Sequence, residues 1–136
     1  MKSERRRGAA AVEFAMCVPI LIMVLFGIIE FSRLLQLQHA VREAALEAAR
    51  TGVTLDGTVA TTQSRATAIL SSIGIVNPTI TVTPNPLTYT ATTVSVTVSV
   101  DPSGNSWFMK FLAAGNPIQA TVSLDREIQA VSVPGP

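Results

Sequence analysis

The residue of greatest chemical interest in this sequence is Glu13, a carboxylate inside a long apolar stretch. It follows Gly8 by five positions, and the basic residues Arg5, Arg6 and Arg7 precede that glycine. On insertion scales a charge costs about 2.5 to 3.5 kcal/mol at the centre of a membrane-spanning helix, and less toward the helix ends. Glu13 therefore requires either a partner or a function.

The apolar stretch is predicted to be one membrane-spanning helix. Ala9 to Ile29 provides 21 positions, and about 20 residues at a rise of 1.5 Å cross the hydrocarbon core. A secretory signal peptide would be followed by a small-x-small cleavage site, which residues 30–35 lack. The basic residues before the stretch place the amino terminus in the cytoplasm and the bulk of the chain across the membrane.

Pro19 lies inside the predicted span. It removes the amide that would bond to the carbonyl of Ala15, which favours a helix kink. Membrane helices often tolerate such a proline, so the residue has an ordinary interpretation. The alternative is that this helix is built to bend when it leaves the bilayer, and the residues alone leave both interpretations open.

Beyond Ile29 the sequence predicts an amphipathic continuation of the same helix, to about residue 50 and ended by Gly52. Apolar residues at spacings of three and four form one stripe, and they are Leu34, Leu37, Val41, Ala44 and Ala48. Glu30, at the membrane exit, is expected to be a helix-end polar residue able to meet Arg33. We expect His39 to be solvated.

The rest of the chain predicts a helix followed by strands. Residues 58–73 favour a short helix closed by a glycine. Period-two alternation then predicts strands around 80–82, 94–100 and 118–124, the last continuing toward Ile128. A three-stranded antiparallel sheet with one aliphatic face needs a cover, and the second half of the long helix is the natural one.

The predicted fold class is therefore α+β. A long N-terminal transmembrane helix continues into an amphipathic helix, which packs on a small antiparallel three-stranded sheet. The expected divisions are a basic cytoplasmic leader, a transmembrane helix, its amphipathic continuation and an exported α+β domain, at residues 1–8, 9–29, 30–52 and 53–136. Within the last, a short helical turn is expected to fill the core with Trp107, Phe108 and Phe111.

Composition argues against several functional classes. The net charge is +1, so bulk electrostatics do not favour nucleic acid as a partner. There is one histidine and one cysteine, Cys17, which cannot form a disulfide within the chain. Neither a phosphate-binding glycine loop nor a catalytic or metal-ligating set stands out. We expect no enzymatic activity, no cofactor and no metal.

Three segments together resemble the TadE-like family, the minor pilins or pseudopilins of Tad (Flp, type IVc) pilus and secretion systems. The first is RRRGAAAVEFAMCVPILIMVLFGIIEFSRLL at residues 5–35. The second is EAARTG at 47–52, and the third is TVSLDREIQ at 121–129. The first segment is fairly specific and covers about a quarter of the chain, whereas the other two are weak alone.

The resemblance implies a processing and assembly signal. Gly8 would be the last leader residue, and a prepilin-type peptidase in the membrane would cut after it, so that Ala9 becomes the amino terminus. Glu13 would then pair with the new amino terminus of a neighbouring subunit. Phe14 stands where the major pilins usually have tyrosine. Those pilins are also much shorter and lack a strand domain, so the resemblance implies a minor component.

The expected function is that of a minor pilin or pseudopilin contributing to a Tad/Flp-type pilus used in adherence or secretion. Its expected partners are the peptidase, other pilin and pseudopilin subunits, the inner-membrane assembly platform and the lipid bilayer. The expected location is the bacterial inner membrane, with the carboxyl-terminal domain extracytoplasmic and possible incorporation in a pilus. The alternative is an unprocessed single-pass membrane protein whose domain binds envelope partners.

Overall fold

The computed structural model describes residues 2–88, 91–105 and 116–126, with side chains from residue 8 onward. Its dominant element is one long helix, α1 (Lys2–Gly52). At 1.5 Å per residue, α1 is about 75 Å long. The predicted continuation of the apolar helix into the amphipathic one is confirmed, and the helix also extends back through the basic residues. Pro19 lies within α1, which continues on both sides of it.

The second helix, α2 (Val59–Ser72), is bounded by clear capping signals. Thr58 and Thr61 exchange side-chain and backbone hydrogen bonds in a capping box. At the other end Gly74 has a φ of +75°, a left-handed conformation that glycine adopts without a Cβ penalty. Ile75 N donates to Leu70 O at 2.9 Å, which completes a Schellman motif. The predicted helix at 58–73, closed by a glycine, is confirmed.

Three strands form one antiparallel sheet in the order β1-β2-β3. Their bounds are β1 (Thr79–Thr83), β2 (Thr93–Val100) and β3 (Ile118–Asp125), and a short helix, α3 (Pro102–Asn105), follows β2. The register places Val96 opposite both Val82 and Val122. The predicted three-stranded sheet is confirmed, which completes the α+β fold.

The core lies between this sheet and the carboxyl half of α1, with α2 packed beside them. Alternate residues of β2 are buried on the helix side, at Val94, Val96, Val98 and Val100. They face the predicted stripe of α1, in which Leu37, Val41, Ala44 and Ala48 are buried. The small alanine side chains let the helix pack closely on the valines of β2, because they occupy little of the space between helix and sheet.

The other face of the sheet carries hydroxyl groups that pair across strands. Thr97 Oγ1 and Thr121 Oγ1 are 2.9 Å apart, and Ser123 Oγ donates to Ser95 Oγ at 3.1 Å. This polar face agrees with the predicted alternation. The expected helical turn with Trp107, Phe108 and Phe111 lies outside the described residues, as does the continuation of the last strand to Ile128.

Candidate assembly site

The described part of the folded domain covers little of the first half of α1. Every side chain from residue 8 to residue 29 is exposed except Val18, which is half-buried. The large apolar side chains exposed there include Val12, Phe14, Met16, Ile20, Leu21, Met23, Leu25 and Ile28. Because the domain does not cover them, they require another apolar environment.

A membrane is the environment that the helix fits. One described helix, the part of α1 from Gly8 to Gly52, is long and apolar enough to cross a bilayer. Its most apolar window is not buried inside the protein, unlike the core helix of a soluble protein. These properties indicate a membrane-anchored protein.

Glu13 lies on the exposed part of α1, one helical turn after Ala9. Residues four apart lie on the same helix face, so the Glu13 carboxylate and the backbone at Ala9 share one side of the helix. Among the described side chains, ion pairs join only Glu47 with Arg50 and Arg65. Within that part of the chain Glu13 therefore has no cationic partner, and its neighbour Phe14 is 69% exposed.

Gly8 occupies a position where the protein has room for a side chain. A Cβ built on Gly8 would meet no atom within 4 Å. Glycine within a helix is less stable than alanine by about 0.5 to 1 kcal/mol. Packing among the described residues thus does not require glycine at this position.

Pro19 is exposed on the same half of α1. The helix assignment runs through it without interruption. The bend proposed at this position stays a prediction.

The junction between the exposed half of α1 and the domain contains contacts that the sequence did not predict. Glu30 is only 4% exposed, so it is part of the packed junction. Arg33 donates from Nε to the backbone oxygen of Asn105 at 3.3 Å. Asn105 in turn accepts from Val76 N at 2.9 Å and donates to Val76 O at 3.3 Å. Asn105 thus connects α1 through its backbone oxygen and the loop after α2 through its side-chain amide.

Asp101 stabilises the short helix that carries Asn105. Its Oδ1 accepts a hydrogen bond from Ser103 N at 2.8 Å. Hydrogen bonds from the side chain and then the backbone of Ser103 lower the pKa of Asp101 below its usual 3.8. Asp101 is therefore ionised at neutral pH and holds the start of α3.

Arg126 closes the opposite end of the domain. Its Nη2 donates to Gly52 O at 2.7 Å, and Nη1 donates to Thr88 O at 3.2 Å. The carbonyl of Gly52 belongs to the last turn of α1, where a cation is favourable both as a donor and against the helix dipole. The sequence pattern predicted no contact for Arg126.

A shallow groove runs along the polar side of α1. It encloses about 630 Å³ and is lined in part by Gln36, His39, Arg42 and Ile73. His39 is exposed, as expected. Among the described residues there is no group of three or more histidine, cysteine or acidic side chains arranged to hold a metal ion.

The comparison with protein families bears on the helix that carries these residues. The family model described as TadE-like protein matches residues 8–50. This segment is similar to that family. The match covers about a third of the chain and confirms the resemblance inferred from the residues. No match was found among curated proteins or among solved structures.

The TadE-like segment begins at Gly8 and contains Glu13, Phe14 and Pro19. It ends two residues before the end of α1, so it includes both the exposed half and the half that packs on the sheet. The folded part after α1 lies outside the match.

Proposed function

We propose that this chain is a minor pilin or pseudopilin that contributes to assembly of a Tad/Flp-type pilus used in adherence or secretion. The chain sits in the bacterial inner membrane with its amino terminus in the cytoplasm and its carboxyl-terminal domain outside. It is processed after Gly8 and assembled through α1. The role is structural, without catalysis, cofactor or metal.

The observation that carries this proposal is the division of α1 into two halves. The half that begins near Leu37 is buried against the sheet, whereas residues 8–29 are exposed. The domain therefore completes its core without the first half of the helix. That half remains available to lipid before assembly and to the helices of neighbouring subunits after it.

Gly8 supports the processing step. Among the described residues no neighbouring atom limits the size of a side chain there, which is consistent with a constraint imposed by another molecule. A peptidase that must reach the bond between Gly8 and Ala9 would impose such a constraint. Glycine also weakens the helix locally, which makes the bond easier to present in an unwound conformation.

Glu13 supports the assembly step. Cleavage after Gly8 would create a cationic amine at Ala9, about one turn nearer the cytoplasm than Glu13. In a bundle of parallel helices, the amine of one subunit can neutralise the carboxylate of another inside the apolar layer. Because a charge pair is satisfied only at one axial offset, the pair would set the register between subunits.

Each step of this proposed scheme involves a different partner. A prepilin-type peptidase acts on the bond after Gly8, an inner-membrane assembly platform moves the processed subunit, and other pilin and pseudopilin subunits pack on α1. The lipid bilayer holds the exposed half before assembly. Nucleic acid has no place in the scheme.

The experiment that tests the proposal is an intact-mass measurement with amino-terminal sequencing of the full chain from membranes of its host. We expect a chain that begins at Ala9 in cells with an active prepilin-type peptidase, and one that begins at Met1 or Lys2 when that peptidase is deleted. A chain that keeps its first eight residues beside the active peptidase would contradict the proposal. The unprocessed single-pass binding protein would then be the better description.

A further inference from the structure

The end of the domain nearest the proposed anchor can be located along α1. Large exposed apolar side chains run almost continuously from Val12 to Phe31, with one more, Leu35, at 41% exposure a turn further along α1. The twenty positions from Val12 to Phe31 span about 30 Å of helix, the thickness of the hydrocarbon core. The headgroup layer adds about 5 to 7 Å on each side, which corresponds to the next four or five residues of a helix. The positions from Ser32 to Gln36 are therefore at the level of the headgroups.

The loop from Ile73 to Asn77 is held at this same level. Arg33 binds Asn105 O, and the Asn105 amide forms two hydrogen bonds with the backbone of Val76. Ile73 lies beside α1 as well, where it lines a small cleft with Gln36. Two separate sets of contacts thus place the loop next to residues 33–36.

Two aliphatic side chains of this loop are exposed. Val76 is 51% exposed and Ile73 is 45% exposed, whereas Ile75 between them is buried in the core. The Schellman motif at the end of α2 explains the alternation, because it turns Ile75 back toward Leu70. No residue from 73 to 78 is charged, so placing the loop among lipid headgroups buries no ion.

Single exposed aliphatic residues are normal on protein surfaces. Ile73 and Val76 differ from such residues in their position. They lie next to the level at which the apolar surface of α1 ends. Leu55, which is 80% exposed, lies at the opposite end of the domain, in the turn between α1 and α2. The apolar surface of the anchor therefore continues onto the domain at one end only of α2.

We propose that the loop Ile73–Asn77 contacts the lipid headgroup region and forms a second membrane contact of this protein, with Val76 inserted most deeply. This inference rests on the proposed anchoring of α1 and goes beyond it. A single helix leaves the domain free to tilt about its exit point. A second contact on one side of α1 would hold the domain against the bilayer in one orientation until assembly removes it.

The test uses the full chain in phosphatidylcholine and phosphatidylglycerol nanodiscs. Cys17 is replaced by alanine, and one cysteine is introduced in place of Met23, Leu55 or Val76 and labelled with an environment-sensitive fluorophore. Quenching is compared between a nitroxide attached to the lipid headgroup and one attached to the middle of the acyl chain. Leu55 is the matched control because it is an exposed aliphatic residue of the same domain.

We expect Val76→Cys to be quenched most by the headgroup nitroxide, Met23→Cys most by the acyl-chain nitroxide, and Leu55→Cys by neither. If the label at 76 is quenched no more than the label at 55 while 23 responds, the second contact is wrong and the anchor stands. If the label at 23 does not respond, the anchor is wrong and the inference falls with it.

A second labelled position controls for a local effect of the fluorophore at position 76. Ile73→Cys places the fluorophore on the same loop but beside Gln36, whereas Val76 is linked through Asn105 to Arg33. We expect headgroup quenching weaker than at 76 and stronger than at 55. If the headgroup nitroxide quenches the labels at 73 and 76 no more than the label at 55, the proposal is overturned. Circular dichroism of each labelled chain checks that the fold is retained.

Discussion

Arg126 Nη2 donates to the carbonyl oxygen of Gly52 at 2.7 Å, so the residue that follows the last strand closes the carboxyl end of the long helix. The Arg126 backbone N–H also donates to Thr92 O at 2.7 Å, which continues the pairing of β2 and β3 by one residue. A single arginine thus connects the helix to the sheet at the end of the domain opposite the proposed membrane contact.

Replacing Arg126 by alanine should destabilise the domain. The change removes donors to Gly52 and Thr88 and leaves a helix-terminal carbonyl without its cationic partner. Hydrogen bonds to charged groups contribute about 1.5 to 3 kcal/mol each, and we expect a loss in this range. Chemical denaturation of the full chain in detergent micelles measures it.

The control for that experiment is Arg50→Ala. Arg50 is exposed, and among the described residues its one ion-pair partner is Glu47, at 2.9 Å on the surface of the same helix. Surface pairs of this kind contribute about 0.3 to 0.5 kcal/mol. Equal losses for the two variants would show that Arg126 acts as an ordinary surface charge.

Gly57→Ala should also destabilise the fold, for a steric reason. A Cβ at Gly57 would lie 2.6 Å from Gly52 O and 2.7 Å from Thr51 O. Both neighbours are backbone atoms at the end of α1, which cannot rotate away. Overpacking of this kind typically costs about 1 to 3 kcal/mol. Thermal unfolding should show a lower midpoint for this variant than for Gly104→Ala, whose added Cβ meets nothing within 4 Å.

Asn105→Ala should loosen the membrane-proximal junction. Asn105 is 6% exposed. Its side-chain amide accepts a hydrogen bond from Val76 N and donates to Val76 O and Asp101 O. Removal leaves partly buried backbone groups without these partners, and we expect a loss of about 1 kcal/mol or more. Amide hydrogen exchange should increase at Val76 before it increases in β2. Asn116→Ala, at an exposed position, should leave exchange at Val76 unchanged.

The spacing of apolar residues along the sequence predicted the helices and strands of this fold. When one face of an element is buried, its apolar residues recur at the period of that element. In β2 every second residue from Val94 to Val100 faces the helices, and the period of two follows. In α1 the buried residues Leu37, Val41, Ala44 and Ala48 recur at three and four. The cover of the sheet followed from the same patterns, because an aliphatic sheet face and an aliphatic helix stripe must meet.

The contacts that join distant segments had no such signal. Arg126 and Gly52 are 74 positions apart, and Arg33 and Asn105 are 72 apart. A side chain that bonds to a backbone carbonyl places no requirement on the residue type that supplies it. The burial of Glu30 was missed for a related reason, since it depends on packing at the junction rather than on a pattern along α1.

In the candidate assembly site, by contrast, the sequence indicated residues for which the described part of the structure shows no contact. Gly8 and Glu13 were singled out by residue type and spacing, yet the structure of one chain gives them no packing partner among the described side chains. This agrees with a proposed function in which both act on other molecules, a peptidase and a neighbouring subunit. Their roles therefore require experiments in cells.

Gly8→Leu should block processing without harming the fold. The position has free space around it, so the substitution adds helix propensity and no clash. We expect the intact mass to show a chain that keeps its leader. Gly27→Leu is the matched control, because a Cβ there also meets nothing within 4 Å, and it should still be cut. A Gly8→Leu chain that begins at Ala9 would contradict the assignment of the cleavage site.

Glu13→Ala should leave cleavage largely intact and weaken assembly. The variant removes the carboxylate that the amine of a neighbouring Ala9 is proposed to meet, so that amine would be buried in the apolar layer without compensation. A loss of at least about 1.4 kcal/mol per subunit contact, or tenfold in an equilibrium constant, is expected. Pilus output per cell is the measurement, with intact mass to confirm processing. Glu43→Ala, on the polar side of the same helix, serves as the control, and wild-type output from Glu13→Ala would exclude the charge pair.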